Sequence, residues 1–260
     1  MSSSKPLILV CNDDGIFSPG IKALAEVASE FGEVVVVAPD RQQSAVGHAI
    51  TMSVPLRANE MTVAKKYKGF AVNGTPADCV KLAHGNLLDR KPDLVLSGIN
   101  HGSNAGINIL YSGTVSAATE GTILGYPSIA VSCTAYPEQA DLKGAQEAAR
   151  RVVKFVLDKG LPKGVTLNVN APEGEFKGIQ WSRMADSRYV EEYEDRVDPF
   201  NRAYYWLTGQ FELLDEGNDS DIHILNEGNA TVTPIQYDLT DYNLLKEFGY
   251  LQRVYQDARF

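Results

Sequence analysis

The chain has 260 residues, 44% of them hydrophobic and 22% charged, which is an ordinary globular composition with enough length to bury a sizeable core. Its 24 basic and 33 acidic residues leave a net charge of −9, which disfavours duplex nucleic acid as a main partner, and no apolar run approaches the roughly 18 residues of a membrane span. The start, Met1-Ser2-Ser3-Ser4-Lys5-Pro6, runs into an apolar segment without a signal-peptide layout, and Cys11, Cys79 and Cys133 are scattered without a CxxC. Both features point to a cytoplasmic protein with buried, reduced thiols.

In chain order, Pro6–Cys11 is a short, wholly apolar run, as expected of a strand buried on both faces. Ser18 and Pro19 form an N-cap and N1 pair for a helix through Ile21, Leu24, Ala25 and Ala28, with Gly32 at the C′ position. Glu33–Ala38 is the second strand. Thr75-Pro76 opens a helix that runs to Leu87. Asp93–Ser97 is the third strand, Val115–Leu124 a small-residue helix ending at Gly125, and Ser128–Ser132 the fourth strand. Asp141–Lys159 is amphipathic and is stopped by Gly160 and Pro162, before a strand at Val165–Val169. This alternation predicts an α/β protein with a doubly wound, mostly parallel sheet, which binds ligands outside the carboxyl ends of its strands. After about residue 172 the texture changes. Trp181–Phe211 is rich in aromatic and charged residues, and Tyr189, Tyr193, Tyr204, Tyr205 and Trp206 suit either a pocket or oligomer contact, or a hairpin packed on its own chain. Gly228–Ile235 returns as a strand and Tyr242–Phe260 as a tail helix. The expected layout is a core over 1–172 and an excursion, late strand and tail over 173–260, all in one globular unit.

Chemistry concentrates after the predicted strands. Asn12-Asp13-Asp14-Gly15 places two adjacent carboxylates at the edge of a core, which is costly without a counter-charge; the plain alternative is a solvated turn. The loop Gly98–Gly106 is dense in glycine and carboxamides, and Tyr111-Ser112-Gly113-Thr114 opens a helix whose N-terminus suits phosphate. Pro39–His48 adds Ser44 as a possible metal ligand, with Arg41 and His48 able to meet phosphate or carry protons. Carboxylate, carboxamide and hydroxyl are hard oxygen donors that favour Mg²⁺ or Mn²⁺ over zinc. GxGxxG after the first strand, a GxxxxGK[ST] loop and GxSxG are all missing, which disfavours a dinucleotide site, a P-loop and a serine esterase. His48 and His101 read as positioning or surface residues, His84 as structural and Asp78 as a first-turn helix acid. His223 carries no assignment.

Asn12–Ile16 (NDDGI), Ala38–Ser44 (APDRQQS), Asn73–Lys81 (NGTPADCVK), Ser97–Gly106 (SGINHGSNAG), Tyr111–Gly121 (YSGTVSAATEG) and Leu167–Asn170 (LNVN) occur in the order found in the SurE family of metal-dependent nucleotidases, and the chain resembles that family from residue 7 to about 172. Asp198–Gly209 resembles its aromatic stretch more weakly, and Thr231–Ile235 its late strand. The resemblance implies a Rossmann-like core and one divalent ion per subunit, ligated by Asp13, Asp14, Ser44 and Asn100. It also implies a phosphate cradle of Asn104 and Ser112-Gly113-Thr114, hydrolysis of 5′- and 3′-nucleoside monophosphates, and homodimers or homotetramers built through the C-terminal half. Two departures stand out: His101 replaces a small residue, and Asp219-Ser220-Asp221 stands where a threonine-aspartate pair is usual. The ion would polarise a phosphoryl oxygen and activate water, with Asp13 or Asp14 orienting that water. An aspartyl-phosphate intermediate is the lesser route, and a non-catalytic metal and nucleotide sensor on the same scaffold is the alternative function.

Overall fold

A computed structural model describes residues 5–136 and 139–248. Strand β1 (Leu7–Cys11) is buried along its whole length, and Ser18 caps α1 (Pro19–Ser29), its hydroxyl accepting the Ile21 N–H at 3.4 Å. Gly32 is not the left-handed C′ residue expected from its position. The helix is capped at Glu30, and the glycine is needed because a Cβ there would lie 2.2 Å from the Pro6 carbonyl oxygen. After β2 (Glu33–Pro39) and a long loop come β3 (Ala58–Val63) and β4 (Tyr67–Val72), an antiparallel hairpin not anticipated from sequence. Its turn residues Ala64 and Lys65 have φ of 49° and 57°, a conformation normally announced by Asn or Gly.

Helix α2 (Pro76–Leu82) begins with a reciprocal capping box between Thr75 and Asp78 and continues as a π-helical turn over Ala83–Leu87. Strand β5 (Leu94–His101) runs on past Ser97, where the sequence pattern ended. It is followed by α3 (Asn108–Tyr111) and by α4 (Gly113–Ile123), which starts at Gly113 rather than Val115. Then come β6 (Ser128–Cys133), α5 (Lys143–Lys159) and β7 (Val165–Ala171). The aromatic excursion consists of β8 (Ile179–Trp181), β9 (Ser187–Val190), β10 (Tyr193–Val197), β11 (Ala203–Leu207) and β12 (Gln210–Leu213), with β9 paired to β12 and β10 to β11. Helix α6 (Asp221–Asn226) and β13 (Ala230–Gln236) complete the chain up to a helical segment at 242–248. The rest of the expected tail helix lies outside the described residues.

The main sheet has the order β3-β4-β2-β1-β5-β6-β7-β13-β8. The run from β4 to β7 is parallel, whereas β3 pairs antiparallel with β4 and β13 antiparallel with β7. Helices α1 and α5 pack together on one face, α2 and α4 on the other, each over its own apolar cluster. The chain winds outward from β1 through β2 on one side and from β5 through β6 on the other. The order therefore reverses between β1 and β5, and the crevice outside their carboxyl ends is where such folds bind ligands. Asn12-Asp13-Asp14 follows one of these strands, and Asn100 is the penultimate residue of the other.

Candidate active site

The loop after β1 is fixed by its own polar atoms. Asn12 is fully buried; its Nδ2 donates to the Gly15 carbonyl at 3.2 Å and to Ser18 Oγ at 2.8 Å. The Gln43 amide donates to the Asp13 carbonyl at 2.7 Å, which ties the loop after β2 to the loop after β1. Helix α4 meets Asp13 end-on. A Cβ on Gly113 would lie 2.8 Å from Asp13 Cβ, so only glycine lets the helix N-terminus come so near. In β5, a register irregularity between Ser97 and Asn100 redirects the strand end. Gly98 permits it, since a Cβ there would sit 2.2 Å from the Val131 carbonyl oxygen.

These constraints leave Asp13 only 5% exposed, and burial raises its carboxyl from the ordinary 3.8 to about 6. The Thr114 hydroxyl, donating to Asp13 Oδ1 at 2.5 Å, opposes that rise, and the Asp14 charge adds to it. Asp14 is less buried, and its Oδ1 accepts from Gln42 Nε2 at 3.5 Å; the same Nε2 donates to Ser44 Oγ at 2.9 Å. Asn100 Nδ2 donates to the carbonyls of His101 and Gly102 at 3.1 and 2.8 Å. With its amide group committed to donation, the carboxamide oxygen is the atom left to meet a ligand. Both ring nitrogens of His101 are buried without a hydrogen-bond partner.

A cavity of about 370 Å³ joins these groups: Asp13, Asp14, Ser44, Asn100, Asn104 and Ser112 all line it. Among the described residues no Lys or Arg lines it. Nor do three His, Cys, Asp or Glu side chains gather into a metal cluster, so the donors on offer are two carboxylates helped by a carboxamide and a hydroxyl. Gly113 and Thr114 are buried behind Asp13 and do not line the cavity. The Thr114 hydroxyl is spent on Asp13, and the Ser112 hydroxyl caps α4 by accepting the Val115 N–H at 3.0 Å. Arg41 is exposed and does not reach the cavity; its neighbour Gln42 does.

Residues outside the expected ligand and phosphate set hold this arrangement. Asn170 Oδ1 accepts the Asn104 amide at 2.8 Å, Asn168 Nδ2 donates to the Asn104 carbonyl at 2.7 Å, and Asn104 Nδ2 donates to Ser132 Oγ at 2.8 Å. Asp221, fully buried, accepts the amides of Gly106, Ala185 and Ile222 at 3.0, 3.0 and 2.8 Å; burial still raises its carboxyl above the usual value. His48 Nε2 and Lys81 Nζ meet the buried Glu120 carboxylate at 2.8 and 2.9 Å, which fastens the Ser44 loop to α4. Asp78 proves to be a structural acid, bonding Thr75 N at 2.9 Å and Thr51 N at 3.0 Å. His84 Nδ1 lies 2.5 Å from the Tyr126 hydroxyl, and all three cysteines are free and buried. The only sequence sign of the asparagine pair was the LNVN run, and of Asp221 the run Asp219-Ser220-Asp221. Of the five aromatic residues singled out in the excursion, Tyr189 lines the cavity, while Tyr193, Tyr204, Tyr205 and Trp206 stand exposed on the β10–β11 arm.

Comparison with known proteins agrees with this fold. The model of the family described as "Survival protein SurE" matches residues 8–191. A protein named 5′-nucleotidase SurE from Christiangramia forsetii is 50% identical over 254 residues, covering 96% of this chain and 98% of its own. One of the same name from Cytophaga hutchinsonii is 50% identical over 250 residues, covering 95% and 96%. The crystal structure of the SurE protein from Aquifex aeolicus superposes with a TM-score of 0.81 at 42% identity, covering 95% of this chain and all of that one. With matched motifs, matched fold and near full-length identity, the chain belongs to the SurE family.

Proposed function

We propose that the protein hydrolyses nucleoside monophosphates, 5′- and 3′-, to nucleoside and inorganic phosphate, using one divalent ion per subunit, Mg²⁺ or Mn²⁺. The observation that carries this reading is the Asp13 carboxyl. It is buried, raised to about 6, and set beside Asp14 and the free carboxamide oxygen of Asn100 in a cavity that no Lys or Arg lines among the described residues. A phosphate ester is an anion, and a pocket with two carboxylates accepts it only with a cation between them. Asp13, Asp14, Ser44 and Asn100 would hold the ion, and hard oxygens suit Mg²⁺ or Mn²⁺. The names carried by the relatives, 5′-nucleotidase, support the substrate class.

When bound, the ion would supply Lewis-acid polarisation of a phosphoryl oxygen and a lowered pKa for a coordinated water. The chain does the rest. Asn104 and Ser112 line the wall that receives the phosphate, and the N-terminal end of α4 at Gly113 lends its positive dipole. Thr114 acts at one remove by gripping Asp13. Asp14, the less buried of the two carboxylates, is the better choice to orient the attacking water. We assign the exposed β10–β11 arm, with Tyr193, Tyr205 and Trp206, to a homodimer or homotetramer contact. The segment 173–260 belongs to the same globular unit as the core, a reading supported by β13 lying in the main sheet beside β7. Three buried free thiols support a cytoplasmic setting, and among the described residues no helix is long and apolar enough to cross a membrane.

The test is release of inorganic phosphate from a panel of 5′- and 3′-nucleoside monophosphates, with Mn²⁺, with Mg²⁺ and with chelator. Metal-dependent release is expected. Nucleotide and metal binding without turnover would instead identify a sensor.

A further inference from the structure

A second cavity, of about 570 Å³, opens beside the first and shares Asp14, Gln42, His101 and Tyr136 with it. Its remaining lining is Phe17, Ser18 and Pro19. Two large aromatic rings therefore stand on this cavity, and both are strongly exposed, Phe17 at 62% and Tyr136 at 75%. Neither exposure is accidental looseness of the backbone. Phe17 is flanked by the Ile16 amide, which donates to the Pro39 carbonyl at 2.9 Å, and by the Ser18 amide, which donates to the Gly15 carbonyl at 3.0 Å. Those two bonds hold the backbone on both sides of Phe17 in place. Tyr136 follows Ala135, whose carbonyl accepts the Gly102 amide at 2.9 Å, and its ring lies so close to Gly102 that a Cβ there would come within 2.5 Å of it. Anchored, exposed aromatic surface next to a reactive cavity is the usual mark of a ligand surface.

We infer that Phe17 and Tyr136 form the nucleobase subsite, receiving the base by stacking while the phosphate occupies the adjoining Asp13–Asn104 cavity. The inference rests on the nucleotide reading above and adds where the base lies. Asp14, Gln42 and His101 form the shared wall, so a single ligand with an anionic end and a flat aromatic end spans both cavities without leaving the protein surface. No charged side chain other than Asp14 lines the second cavity among the described residues, which suits a neutral heterocycle. Stacking rather than hydrogen-bond readout tolerates different bases.

The experiment compares kcat/KM for AMP with that for ribose 5-phosphate, which lacks the base, in the wild type and in Phe17→Ala, Tyr136→Ala and Trp181→Ala, the last an exposed aromatic residue that lines neither cavity. Calorimetric binding of adenosine to the same four proteins needs no turnover. Loss of one stacking partner weakens base binding by about tenfold. Phe17→Ala and Tyr136→Ala are each expected to lower the AMP to ribose 5-phosphate ratio, and adenosine affinity, by about that factor, while Trp181→Ala leaves both near wild type. If the ratio and adenosine affinity ignore Phe17 and Tyr136, or fall equally in Trp181→Ala, the base does not lie here. Should neither ester be hydrolysed while adenosine binding still depends on Phe17 and Tyr136, the nucleotidase reading fails and the base subsite stands.

Discussion

The Thr114 hydroxyl donates to Asp13 Oδ1 at 2.5 Å, joining the first turn of α4 to the carboxylate that follows β1 across 101 positions of sequence. This bond occupies Oδ1, which would leave Oδ2 to face the proposed ion, and it keeps the carboxyl lower than burial alone would set it. Thr114→Val keeps the shape and removes the donor. Metal affinity is expected to fall by about 10- to 100-fold, as for other partners that orient a ligand, whereas Thr114→Ser stays close to wild type. Calorimetric Mn²⁺ titration of both variants checks this.

A buried carboxylate kept for binding should cost stability when no ion is present. Asp13 is raised from 3.8 to about 6 by burial, so the folded chain takes its proton more readily than the unfolded one. Its contribution is therefore fully present below pH 3.8 and lost as pH rises through about 6. At neutral pH the ionised carboxyl costs about 3 kcal/mol. In chelator, Asp13→Asn should be more stable than wild type at pH 7.5 by an amount of that order, and the difference should shrink towards pH 4. Urea midpoints for the pair across that range measure it; a gap independent of pH would contradict the account.

The carboxamide pair on β7 sets Asn104. Asn170→Ala removes the acceptor of the Asn104 amide and leaves a buried N–H unpaired, at a cost of about 1–3 kcal/mol. The displaced Asn104 should raise KM for the phosphate ester by about tenfold with a smaller change in kcat, read from steady-state kinetics.

Glu120 fastens the Ser44 loop to α4 through His48, with Lys81 on its other oxygen. Its side chain is 4% exposed, but its partners are 34% and 48% exposed, so solvent screens part of the pairing. Glu120→Ala should cost about 2 kcal/mol by urea denaturation and weaken Mn²⁺ binding through the loosened loop. Glu120→Gln keeps an oxygen to accept from Lys81 and an amide group to donate to a neutral His48 Nε2, and should recover part of the metal affinity.

Much of the fold was legible because parallel strands buried on both faces are written as unbroken apolar runs, as at Leu7–Cys11 and Ser128–Cys133. The β3–β4 hairpin was not, since Ala64 and Lys65 adopt positive φ without the usual turn residues, and β3 is mostly exposed. The site followed the same division. Asp13 and Asp14 follow β1, Asn100 lies at the end of β5 and Ser44 follows the neighbouring β2, so local sequence put all four at one sheet edge, while the family resemblance singled out Ser44 and Asn100 as ligands. Asn168, Asn170 and Asp221 act on the Asn104–Gly106 loop from 64, 66 and 115 positions away, and no local pattern signals such bonds. Arg41 carried the expected chemistry but faces outward, and Gln42 takes the position at the cavity.

The proposed function stands on one ion bound at Asp13 driving hydrolysis. Its most direct test is a Mn²⁺ titration of chelator-stripped protein, with calorimetric binding and phosphate release from AMP followed on the same samples. One ion per subunit should bind, turnover should rise in proportion to occupancy, and Asp13→Asn should lose both. Turnover in the stripped protein, or near wild-type turnover in Asp13→Asn, would contradict it.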